Sequence, residues 1–139
     1  MAALLPPLAL AACSQDTASY TIADDKQHAI VLIRNQAWFW EDTVALTIAP
    51  AWLPDCQGSL TVEDVPKGEP IALYRAPDEY AEPIFILKAG ARHFAVSTAT
   101  CRVQEFKAAP AALGTALGAF RDPGEGFRFV AEQTTAAGS

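Results

Sequence analysis

The 139-residue chain holds no run of basic side chains, no apolar run long enough for a membrane helix, no C-x-x-C pair and no G-x-S-x-G turn. Each absence narrows the chemistry. With 10 Lys and Arg against 16 Asp and Glu, a formal net charge of -6 and no basic cluster, phosphate backbones and anionic lipid surfaces repel the body of the chain, so nucleic acid is not expected as a partner. The apolar stretch over residues 1–12, "MAALLPPLALAA", falls short of the ~20 residues a spanning helix needs, and Pro6 and Pro7 oppose a continuous helix through it. Without a G-x-S-x-G setting there is no nucleophile elbow, and "DPGEG" over residues 122–126 is a turn signal and not a phosphate loop. Histidine is scarce: His28 and His93 each follow a turn and read as surface or strand-edge residues, not as ligands. No catalytic set, no cofactor and no metal is therefore expected.

What the chain does contain is a folded body. Hydrophobic residues make up 51% and charged residues 19%, enough to bury one core, and the length fits a single domain. From Ser19 the apolar spacing is short-period and is broken by Asp, Gly, Pro and Asn clusters, the pattern of strands and turns. "SYTI" and "HAIVLIR" around "ADDKQ" form a first hairpin. Ile30 to Ile33 are apolar on both pleat faces, so that strand is expected to be central and covered on both sides. "WFW" and "TVALTIA" follow, with Glu41 and Asp42 marking a turn or a bulge between them. "SLTVE" and "IALYR" come next. "IFILK" and "RHFAVST" bracket "AGA" as a tight hairpin, "CRVQEF" adds a strand, and "LGAF" with "FRFVA" closes the series around "RDPGEG".

The expected fold is thus all-β, an antiparallel sandwich or barrel of about nine to eleven short strands spanning residues 20–132. At most one short helix fits, near residues 108–117, and Gly114 and Gly118 weaken it. Residues 133–139 lack large apolar side chains and are expected to fray.

At the N-terminus, Leu10, Ala11, Ala12 and Cys13 close the apolar run and are followed at once by polar "SQD". This stretch resembles a bacterial lipobox, although no Lys or Arg precedes Cys13 as a basic n-region would. The resemblance implies a small Gram-negative envelope lipoprotein: residues 1–12 are a signal peptide, the Cys13 sulfur carries a diacylglyceryl group, and the chain is cut before Cys13. Ser14, which is not the Asp associated with inner-membrane retention, favours the outer membrane facing the periplasm. The membrane is then a partner through the lipid at Cys13, and residues 13–19 read as a flexible tether. A plain secretory signal cut near Ala11, and an Ala-rich buried segment with an incidental cysteine, are the alternatives. If Cys13 is lipidated, Cys56 and Cys101 remain as an even pair in an oxidising compartment, for which a disulfide is the default. Two buried free thiols, or a reactive or metal-binding thiol, are the alternatives.

Two further groups invite a function. On an extended strand Trp38 and Trp40 share one face and Phe39 the other, so with Trp52 they offer a possible binding patch, or else ordinary core. Acidic residues gather at Asp24 and Asp25, at Glu41 and Asp42, and at Asp78, Glu79 and Glu82, all in turns where carboxylates are ordinarily solvated. The leading functional expectation is a non-enzymatic binding or assembly module for an envelope protein or glycan. One alternative is a β-barrel resembling the periplasmic lysozyme inhibitors, whose short Ser-Gly-Ala type motif finds no clear match here. The other is a hydrolase or metal-dependent enzyme using the acidic loops.

Overall fold

The computed structural model describes residues 14–38 and 40–132. It is all-β, with two antiparallel sheets packed as a sandwich. The first sheet contains β1 (Ser14–Ile22), β2 (Asp25–Gln36), β3 (Thr43–Trp52), β4 (Cys56–Gln57) and β5 (Leu60–Pro66). The second contains β6 (Ile71–Arg75), β7 (Phe85–Ala89), β8 (Arg92–Val96), β9 (Val103–Glu105), β10 (Thr115–Arg121) and β11 (Arg128–Ala131). In the first sheet the order is β1-β2-β3, with β4 and β5 both pairing with β3; in the second it is β11-β10-β6-β7-β8-β9. The chain crosses between sheets once, through the turn from β5 to β6, so "SLTVE" and "IALYR" are successive strands that do not pair.

Local chemistry explains the hairpins. Ala23 and Asp24 both adopt positive φ, near 55° and 56°, the geometry of the two-residue turns whose twist matches the flanking strands. Gly90, at φ 62°, does the same for the β7–β8 hairpin. Inward alternation then builds the core: Ile30, Leu32, Leu46 and Ile48 from the first sheet meet Leu73, Leu87, Phe94 and Phe120 from the second, all fully buried.

Three expectations change, and the place left for at most one short helix holds none. Residues 14–19 are not a structureless tether: they lie in β1, where Ser14 pairs with Gln36 and Ala18 with Leu32. Their polar side chains misled because β1 edges its sheet and buries only one face, so alternate positions stay wet while Ala18 points inward. β2 is central, but Val31 and Ile33 on its outer face are only half-buried, because among the described residues no layer packs there as the second sheet packs inside. No helix forms near residues 108–117; Thr115 onward is β10, pairing with both β6 and β11. His93 lies buried on β8, an inner strand, and not at a surface or edge. The proposed signal peptide, Cys13 and the tail at residues 133–139 lie outside the described residues.

Both edges of the sandwich are clasped. On one side Cys56 of β4 is bonded to Cys101 just before β9, with Cα atoms 5.8 Å apart. There too Arg92 holds Glu105 with two hydrogen bonds, at 2.8 and 2.9 Å, and donates to the Glu63 carbonyl of the facing sheet at 2.7 Å. On the other side the Tyr20 ring packs on Phe129, 4.8 Å between centroids.

Candidate functional site

The antiparallel β2–β3 ribbon sets two ends. Its register runs from Asn35–Ala45 to His28–Trp52, seven residues apart on each strand, so the ends lie roughly 23 Å from one another. The three tryptophans do not form one patch. Trp38 and Trp40 lie in the loop after β2, not on a strand, and Trp52 ends β3 at the opposite pole. The alternation argument therefore fails for Trp38 and Trp40, because the chain turns at residue 37, where Ala37 and Trp38 leave the ladder; Phe39 lies outside the described residues.

At the first end, Trp38 and Trp40 stack on each other with centroids 5.0 Å apart and planes 14° from parallel. They remain 46% and 62% exposed. The loop that carries them is fixed from below. Buried Gln36 donates its side-chain amide to the Glu41 carbonyl at 3.0 Å, the Glu41 amide bonds the Trp38 carbonyl at 3.1 Å, and the Lys67 amide bonds the Asp42 carbonyl at 2.9 Å. Beneath the loop sits Arg34, the residue that sequence reasoning missed. Its guanidinium donates to Asp16 at 3.0 Å and to the Lys67 carbonyl at 3.3 Å, and lies 3.8 Å from the centroid of Phe127. Its Nε is buried with no hydrogen-bond partner among the described residues. A signal was present: strict alternation through "IVLIRNQ" places Arg34 on the same face as Ile30 and Leu32.

Arg34, Trp40, Glu41, Asp42, Lys67 and Asp122 line an open cleft of about 490 Å³, within the range of small-ligand sites. Asp122 caps its own loop, accepting the amides of Gly124 at 2.8 Å and Gly126 at 3.0 Å; these bonds hold its carboxyl below the usual carboxylate range.

At the second end, the His28 imidazole stacks flat on Trp52, 4.2 Å between centroids and 5° from parallel, and shares a 2.8 Å hydrogen bond with Thr98 Oγ1. Trp52 and Leu53 are 40% and 41% exposed side by side. The Leu53 amide is tied to the Gln27 carbonyl at 2.9 Å, and Cys56, paired with Trp52 across the turn, is pinned by the disulfide. The acidic clusters stay apart in surface loops: Asp24 and Asp25 at the β1–β2 turn, Glu41 and Asp42 beside Trp40, and Asp78, Glu79 and Glu82 between β6 and β7. Among the described residues no group of three or more His, Cys, Asp or Glu side chains is arranged to hold a metal. No family model, no curated protein and no solved structure matches the chain.

Proposed function

We propose that the chain is a lipid-anchored envelope protein, held to the outer membrane through Cys13 and facing the periplasm, whose work is to bind and not to catalyse. Its partner is another protein of the envelope, engaged by Trp52 and Leu53. The observation that carries this reading is the rigid exposure of that apolar tip. Trp52 is clamped by the His28 ring, Leu53 by its bond to Gln27, and the turn by the Cys56–Cys101 disulfide. An aromatic anchor that is already ordered loses little entropy on association, which is what makes such residues dominate binding energies. Anchoring rests on the lipobox-like run at residues 10–13 and on the even cysteine pair left once Cys13 is set aside.

Two measurements test the reading. Mass spectrometry of the mature N-terminus should find a diacylglyceryl group on Cys13, and Cys13→Ala should release the protein into the soluble fraction; an unmodified Cys13 refutes the anchor. Formaldehyde crosslinking in intact cells should give a discrete adduct that the Trp52→Ala/Leu53→Ala variant, folded by circular dichroism, loses about ten-fold or more. An adduct that survives the double substitution refutes the docking tip.

A further inference from the structure

We infer that the Trp38–Trp40 end of the sandwich seats in the headgroup layer of the bilayer that holds the lipid anchor. This inference rests on lipid attachment at Cys13 as proposed above. β1 is already paired at its first residue: Ser14 stands opposite Gln36, two residues before Trp38. A residue bonded to Ser14 has its Cα about 3.8 Å away, so acyl chains on Cys13 would join the fold one residue before the end of the β1–β2 ladder that leads into the tryptophan loop. Stacked, half-exposed indoles are the side chains that settle at a membrane–water interface, where the ring is apolar and its N–H stays wet. The cleft next to Trp40 matches the same surface. Lys67 offers a cation, and Glu41, Asp42 and Asp122 offer carboxylates, a mixed-sign lining suited to the phosphate and the ammonium of a phosphoethanolamine headgroup, while Arg34, already engaged by Asp16 and the Lys67 carbonyl, supports it from behind. Because carboxylates outnumber cations in that lining, the rings and not net charge drive the seating.

The three tryptophans of the chain allow a direct test, since Trp52 lies at the far pole and serves as an internal reference. The full-length lipidated protein is reconstituted into vesicles of phosphatidylethanolamine and phosphatidylglycerol doped with phosphatidylcholine brominated high on its acyl chains. In Trp52→Phe, which keeps an aromatic ring against His28, the remaining Trp38 and Trp40 should lose fluorescence roughly two-fold or more relative to unbrominated vesicles. In Trp38→Phe/Trp40→Phe the remaining Trp52 should be unquenched. Lipidated protein, verified by its mass, whose Trp38 and Trp40 escape quenching overturns the seating while leaving the anchor intact; equal quenching of Trp52 overturns it too. Protein that lacks the lipid mass overturns anchor and seating together.

Discussion

Arg34 places its guanidinium on the inward face of β2, where desolvation is costly unless partners offset it. Its ion-pair partner is not the main compensation. Asp16 is 47% exposed at its side chain while Arg34 is 10% exposed, so solvent screens the pair and Asp16→Asn should cost under about 1 kcal/mol. Arg34→Ala removes the guanidinium from the Phe127 ring and opens the space under the tryptophan loop, and should cost roughly 2–4 kcal/mol, read as a lowered urea midpoint. If the two variants cost the same, the ion pair and not the packing holds Arg34. Glu105 is a different case. The hydrogen bonds from Arg92 hold its carboxyl below the usual range, so the folded state binds that proton less readily than the unfolded chain. Its contribution is present above the ordinary glutamate range and fades as pH falls through the lowered value. Because Glu105 is over one-third exposed, the effect on stability is under about 1 kcal/mol. A carboxylate titration followed by NMR should find Glu105 below the exposed glutamates, and Arg92→Ala should return it to their range; a Glu105 midpoint unchanged by that substitution would contradict the pairing.

At the level of elements, Gly118 shows how one residue type can carry two signals. In the sequence it weakens a helix; in the structure it sits at φ 151° where the β6–β10 register shifts, and a side chain there would strike the Val130 carbonyl and the Phe129 ring. Gly118→Ala should therefore cost about 2 kcal/mol or more and loosen β11, measurable as faster amide exchange at Phe129 and Val130. Strands announced by strict alternation and glycine turns, such as the β7–β8 hairpin around Gly90, were legible before any coordinates. Of β1 only "SYTI" was legible; its first half was not, because an edge strand with one buried face needs few apolar residues, and Ala18 alone among residues 15–19 is buried. Trp38 and Trp40 misled in the opposite direction: aromatic residues favour strands, yet here they occupy a loop whose hold comes from Gln36 and Lys67, partners that no local pattern foretells. The Trp52–His28 stack was hidden for the same reason, since it needs the β2–β3 register and not either residue's neighbours.

For the molecule as a whole, the two clasped edges are unequal. The Tyr20–Phe129 contact is one of packing, whereas the Cys56–Cys101 bond closes a 45-residue separation and limits the unfolded chain. On the chain-entropy account its loss should cost about 4 kcal/mol, so Cys56→Ser/Cys101→Ser should unfold at much lower denaturant than the oxidised protein. A variant of unchanged midpoint would mean that the noncovalent clasp of Arg92 to Glu63 and Glu105 suffices. The sheet frame also explains why the two tryptophan ends cannot meet: they lie at opposite ends of the β2–β3 ribbon. That ribbon acts as a ruler. From Gln36, which stands opposite Ser14, to His28, which stands opposite Trp52, β2 runs eight residues, roughly 26 Å. On the anchor proposed above, the Trp52 tip would stand off the bilayer by that height alone, and a partner would have to come within it.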